Sequence, residues 1–134
     1  MTGHENGPST TRGVYRDLAV CVEGCHGGHG AIQVLRPYER APGSPLIDFI
    51  DLVVVPPGSE IGRHYHGDDE EWYVIAWGSG TMLLDGRAVP VTSGDVVINR
   101  PLGEHGLINH SSEDLYLLVF QMSPAPGAAR RLGS

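Results

Sequence analysis

The chain has 134 residues, enough for one domain with a real core and too few for two. Its net charge is −7 and all nine basic residues are arginine, which argues against a basic nucleic-acid groove and excludes Schiff-base chemistry on a lysine. Hydrophobic content is an ordinary 40 %, no apolar stretch approaches a membrane span, and the first residues lack a signal pattern, so a globular cytoplasmic protein is expected.

Residues 1–13 are polar and rich in Gly and Pro, and read as a loose arm before a single domain over 14–122. Weak strands are expected near "VYRDLAVCV" and "AIQVLRPY", followed by the loop "RAPGSP". "LIDFIDLVVV" is a strand stopped by Pro56-Pro57-Gly58. Then come "IGRHYH", the turn "GDDE", and "EWYVIAWGSG". "TMLLD" and "RAVPV" form a hairpin around Asp85-Gly86, a strong two-residue turn signal. "SGDVVINR", "HGLINH" and "LYLLVFQM" complete the strands, and 123–134 read as a flexible tail. Nineteen Gly and ten Pro punctuating short apolar runs predict an all-β sandwich or barrel without a helix of useful length.

Cys21 and Cys25 are too few for a disulfide framework and read as free thiols. With His26 and His29 they superficially resemble a zinc set, but glycines this dense make a loop rather than a clamp. The stretch reads as a turn before the first barrel strand, placed to form a rim over a barrel mouth.

The chemistry concentrates in "GRHYHGDDEEWY". On a strand, residues i and i+2 share a face, about 6.6 Å apart, so His64 and His66 can take adjacent positions around one ion. The turn after them returns the chain with a carboxylate near the same point. Asp68, Asp69 and Glu70 read as a solvated turn, whereas Glu71 heads the apolar run "WYVIAW" and enters a buried strand, where an unpartnered carboxylate is costly.

The spacing Gly58-x5-His64-x-His66-x4-Glu71-x6-Gly78 resembles the first motif of the cupin superfamily at every position. The second family motif, G-x5-P-x-G-x2-H-x3-N, is matched by Gly94, His105 and Asn109, while Pro101 and Gly103 each fall one residue late within the same total. Fifteen residues separate Gly78 from Gly94, a compact spacing similar to that of small microbial cupins, and the resemblance covers about 46–122. It implies an all-β cupin double-stranded β-helix, a jelly-roll-like barrel of six to ten strands. It also implies one divalent transition metal held by His64, His66, Glu71 and His105. Three imidazoles and a carboxylate suit Zn, Fe(II), Mn, Ni or Cu and are too nitrogen-rich for Ca or Mg. Four protein ligands leave positions open for a substrate, as a purely structural site would not. Small cupins usually pair through N-terminal strands, so a homodimer through residues 14–40 is expected.

Alternation from Glu71 places Tyr73, Ile75 and Trp77 inward, and from His105 it selects Leu107 and Asn109. On "LIDFIDLVVV" either Asp51 or Asp48 faces in. Asp51 is thereby a candidate general base or an orienter of a ligand imidazole, with the alternative of a carboxylate paired to Arg36 or Arg40. Tyr73 is the candidate donor to a substrate oxygen. Gln33, Tyr38, Phe49, Trp77, Arg100 and Leu107 are candidates for the substrate wall. The resemblance implies a metal-dependent enzyme acting on a small organic metabolite, with the metal as Lewis acid or dioxygen site. Two alternatives stand beside it: a zinc cupin of natural-product biosynthesis forming an N–N bond, of hydrazine synthase type, and a non-catalytic metal- or metabolite-binding cupin.

Overall fold

A computed structural model describes residues 19–39 and 46–124, the side chains of Pro37 and Tyr38 excepted. The arm expected over 1–13 and nearly all of the expected tail lie outside the described residues.

Ten strands are found among them: β1 (Val20–Glu23), β2 (Ala31–Glu39), β3 (Ile47–Val55), β4 (Glu60–Tyr65), β5 (Glu70–Trp77), β6 (Ser79–Leu84), β7 (Arg87–Thr92), β8 (Val96–Asn99), β9 (Glu104–Ile108) and β10 (Leu115–Met122). They form two antiparallel sheets, β1-β2-β3-β10-β5-β8 and β4-β9-β6-β7. This is the all-β, two-sheet barrel that the motifs imply. The glycine-rich segment expected before the first strand lies instead between β1 and β2, as a single 3-10 turn over Cys25–Gly27.

Period-2 alternation sets the inner face. On β10, Leu115, Leu117 and Val119 are 0, 2 and 4 % exposed, while Tyr116 between them is 40 % exposed. With residues such as Val53, Val55, Ile75, Met82 and Leu107 they form one buried cluster spanning both sheets. Each fully buried aliphatic side chain contributes about 1.5–3 kcal/mol, so the barrel does not depend on a metal for its core.

Local backbone chemistry explains the connections. Asp85 (φ 48°) and Gly86 (φ 82°) both adopt left-handed geometry, the type I′ turn that the Asp-Gly pair predicts between β6 and β7. Gly78 has φ 94°, and a Cβ there would stand 2.6 Å from the carbonyl oxygen of Asp114, so only glycine closes the first motif. The offset in the second motif also has a visible consequence. The family pattern places its second glycine at position 102, and that position is left-handed (φ 66°), yet this chain has Leu102 there and glycine one residue later. The loop nevertheless docks, with the Leu102 amide donating to Gly67 O (2.8 Å) and the His66 amide to Gly103 O (3.0 Å).

Asn109 is fully buried and ties three segments together. Its Nδ2 donates to Val55 O and Glu113 O, both at 2.8 Å, and its Oδ1 accepts from the Ser111 amide and hydroxyl. It closes the barrel end rather than lining a pocket.

Candidate metal centre

Four side chains from three strand regions converge. His64 lies in β4 and His66 just past its end, Glu71 is in β5 and His105 in β9. His64 stands opposite His105 in the β4–β9 register, after an irregularity between Ile61 and His64. The ligand atoms of the four all lie within 4.8 Å of one another. His66 Nε2 is 2.7 Å from His105 Nε2, which is 3.0 Å from His64 Nε2. Glu71 Oε1 is 3.2 Å from His66 Nε2 and 3.1 Å from His105 Nε2. Cis ligands about 2.1 Å from one ion stand roughly 3 Å apart, so the set has the size of a coordination shell.

The outer nitrogens decide which way the lone pairs point. His64 Nδ1 donates to Gly62 O at 2.8 Å, and His66 Nδ1 donates to Asp69 Oδ2 at 2.5 Å. Both rings therefore turn an Nε2 lone pair inward, toward each other and toward a buried carboxylate. That arrangement is repulsive unless a cation sits among them. Glu71 Oε1 takes no well-directed hydrogen bond despite its burial, as expected of an oxygen reserved for an ion. The donor set fits a divalent transition metal.

Titration points the same way. Contact with Glu71, opposed by burial and aided by Asp69, raises His66 to about 9. Burial lowers His64 to about 4. Burial alone would raise Glu71, but His105 and His66 outweigh it and bring the carboxyl down to about 2. A proton on His66, held between Glu71 and Asp69, supplies positive charge at the point where the four groups meet.

Asp69 therefore belongs to the site, as the carboxylate that orients His66; the expectation of a merely solvated turn is corrected for this residue. Its signal was its position three residues past His66, within reach of that ring's outer nitrogen.

A cavity of about 230 Å³ opens beside the ligands. Its walls include Ile32, Val34, Arg36, Phe49, Asp51 and Val53 of β2 and β3, and it reaches His64, Glu71 and Tyr73. Asp51 is the inward aspartate and is 7 % exposed, and it is also paired: Arg36 Nε donates to its Oδ1 at 2.8 Å and Nη2 to its Oδ2 at 3.1 Å. Of the two readings of Asp51, its pairing with Arg36 is the one seen. The Arg36 guanidinium lies 4.0 Å over the Phe49 ring. Tyr73 is 2 % exposed, its ring 5.1 Å from that of His105. Burial, with Glu71 nearby, drives its hydroxyl well above the usual range, so Tyr73 is a hydrogen-bond donor.

One side of the cavity is walled by the 3-10 turn. Cys25 and His26 line it, and the His26 ring stacks on His64 at 3.7 Å and 15°. The turn is clamped to β4: the Glu60 amide donates to His29 O at 2.9 Å, and a Cβ on Gly28 would stand 2.6 Å from Glu60 O. Burial raises the Cys25 thiol, which leaves it protonated and apolar in character. Cys21, Cys25, His26 and His29 do not converge as a second metal set among the described residues. The segment is a cap over the ligands, the rim foreseen for it.

Four other candidates fall away from the cavity. Trp77 is 61 % exposed because β5 carries an extra residue opposite β10: Leu117 pairs with Ile75 but Tyr116 pairs with Trp77, so the alternation inverts past Ile75. Gln33 is exposed because Ile32, Val34 and Arg36 set the inward phase of β2. Arg100 lies past the end of β8 with its side chain 74 % exposed, 3.5 Å from Glu70. Leu107 does face inward, but it is fully buried in the core away from the cavity. The Tyr38 side chain lies outside the described residues.

The fold and the ring of His64, His66, Glu71 and His105 define a small barrel protein with a candidate metal site. The cupin domain model matches residues 51–121, and the chain belongs to that family. Its sequence is similar to an oxalate-binding protein of Thermotoga maritima, 27 % identical over 98 residues that cover 73 % of this chain and 81 % of the relative. Its fold matches a predicted oxalate decarboxylase structure from Thermotoga maritima, with TM-score 0.80 at 23 % identity, covering 87 % of this chain and all of the other. It also matches a cupin 2 conserved barrel domain protein from Salinispora arenicola, with TM-score 0.70 at 20 % identity, covering 87 and 91 % of the two chains. No helix among the described residues is long and apolar enough to cross a membrane.

Proposed function

We propose that this chain is a metal-dependent enzyme acting on a small organic metabolite that binds beside the ring of His64, His66, Glu71 and His105. The observation that carries the reading is the cavity: it reaches His64 and Glu71, so the ring is open to a small molecule on one side. A site serving only to hold the fold would be closed on all sides, and this barrel has its own core. A divalent transition metal there would supply Lewis acidity, or a dioxygen site in the case of Fe(II).

The chain's own residues then have separable tasks. Asp69 and Gly62 O hold the protons of His66 and His64 on Nδ1 and keep both Nε2 atoms inward. Tyr73, protonated across the working range, donates to a substrate oxygen. Asp51, held by Arg36, presents a fixed carboxylate at the far wall. The cap over Cys25–Gly27 excludes water from the side of His64.

The name of the Thermotoga oxalate-binding relative favours a second reading, a binding protein without turnover. One experiment separates the two. The protein loaded with Zn, Mn or anaerobic Fe(II) is incubated with a metabolite extract and followed by untargeted mass spectrometry, with His66→Ala as control. Metal-dependent consumption of a compound supports the enzyme. Retention of a compound on the protein without consumption supports the binder and refutes the enzyme.

We further propose a homodimer through the N-terminal strands. It is supported by β1, an outer strand of the six-stranded sheet with Val20 63 % exposed. A monomeric mass by light scattering at high concentration would refute it.

A further inference from the structure

The cavity beside the metal ligands has a composition that constrains what it takes, and this inference rests on the metal-site reading above. Its walls hold Val22, Ile32, Val34, Val53, Ile61 and Val119. The side chains of Phe49 and Tyr73 and the protonated thiol of Cys25 add to that apolar surface. Charged groups are few and already balanced. Arg36 spends Nε and Nη2 on the two oxygens of Asp51, and its Nη1 lies 3.8 Å from Glu39. It offers no free fork to a second carboxylate of a ligand, and the pair is neutral as a unit. A divalent ion with Glu71 as its one anionic ligand carries a surplus of a single positive charge. That surplus matches one anionic head group.

Size sharpens the point. A water occupies about 30 Å³ of liquid, so the 230 Å³ cavity holds roughly eight groups of that size. A branched or aromatic monocarboxylate fills that space with carbon, whereas oxalate, of similar size, offers the wall no carbon skeleton and brings a second negative charge to a surplus of one.

We propose that the ligand is a monocarboxylate with a compact apolar body, branched-aliphatic or aromatic, whose carboxylate takes the open side of the metal ring and whose carbon skeleton lies on Val34, Phe49, Val53 and Val119. The specificity thus differs from what the name of the Thermotoga relative indicates. Each buried carbon should tighten binding about fourfold, so 3-methylbutanoate should bind on the order of fiftyfold more tightly than acetate.

Co(II)-loaded protein tests this without any assay of turnover. The visible spectrum first reports whether Co(II) binds to the intact chain; titration with acetate, 3-methylbutanoate, benzoate and oxalate then gives four affinities. The expected order places 3-methylbutanoate and benzoate well ahead of acetate and oxalate. Filling the cavity with Val119→Phe should remove the advantage of 3-methylbutanoate over acetate, with the Co(II) spectrum reporting that the metal still binds. As a second variant, should Val119→Phe not fold, Val34→Phe fills the same space from β2. A normal Co(II) spectrum with oxalate bound most tightly, or with acetate equal to 3-methylbutanoate, overturns the proposal alone. Failure of Co(II) to bind at all removes the metal reading and the proposal with it.

Discussion

The ligand ring and the cap above it touch each other, ring on ring at His64 and His26, but they are built by different means. The ring is local. His64, His66 and Glu71 come from two strands joined by one short turn, and His105 is their cross-strand partner. The cap arrives from more than thirty residues upstream and is held by close backbone packing, with glycines where side chains would collide. The ring sets which ion can bind; the cap and the sheet behind it set what can reach that ion. The two should therefore fail independently.

The largest effect is expected within the ring's support. Asp69→Ala removes the acceptor that fixes His66, and metal affinity should fall about 10–100-fold. Competition with a chelator of known affinity would measure it. A change below about threefold would mean that Asp69 is the solvated turn residue its sequence context suggests.

Acidity probes the same ring. With His66 held protonated up to about 9 in the metal-free protein, a metal can bind only by displacing that proton. Affinity should rise about tenfold per pH unit between pH 7 and 9 and flatten above, and calorimetry in buffers of different ionisation enthalpy should find a proton released near pH 7.5. The sign for stability follows. His66 has a folded pKa above its ordinary 6.5, so its contribution is full below about 6.5 and lost as pH rises through about 9. The melting temperature of the metal-free protein should fall across that window, and that of the metal-loaded protein should not. A flat metal-free profile would contradict the proton's place in the ring.

The cap is broken separately by Gly28→Ala. The added methyl meets Glu60 O and Gly62 N, and overpacking of this kind costs about 1–3 kcal/mol. Ligand binding in the cavity should weaken while metal affinity stays within about threefold. Equal loss of both would show that ring and cap form one unit. The smallest effect is expected at the offset loop. Leu102→Gly relieves a left-handed leucine but adds chain entropy to the unfolded state, for a net stabilisation of at most about 1 kcal/mol. Thermal melting would show a rise of a few degrees; a clear fall would mean that the half-exposed Leu102 side chain makes contacts that outweigh the strain.

The same division explains how far the sequence could be read. The barrel and the four candidate ligands were legible because two motifs resemble the cupin pattern, with His64, His66 and Glu71 in the first and His105 in the second. Alternation along β5 points Trp77 inward, but a β-bulge inverts it, and the bulge arises from pairing with β10, far along the chain. The outward position of Gln33 is not legible in the sequence because β2 has no motif to anchor its phase. Cys25 and His26 read as part of a turn able to form a rim over the barrel mouth; what holds that turn over His64, its packing on β4, is not encoded in its local pattern. Arg36 was read as a partner for an aspartate, and its stacking on Phe49 adds a geometric role that no spacing encodes.

The central claim is the convergence of four ligands on one ion. A crystal structure of the protein saturated with Zn, with anomalous data collected across the metal edge, tests it directly. The account predicts a single peak per chain bonded to Nε2 of His64, His66 and His105 and to a Glu71 oxygen. A fully occupied ion with any of these four side chains turned away would contradict it.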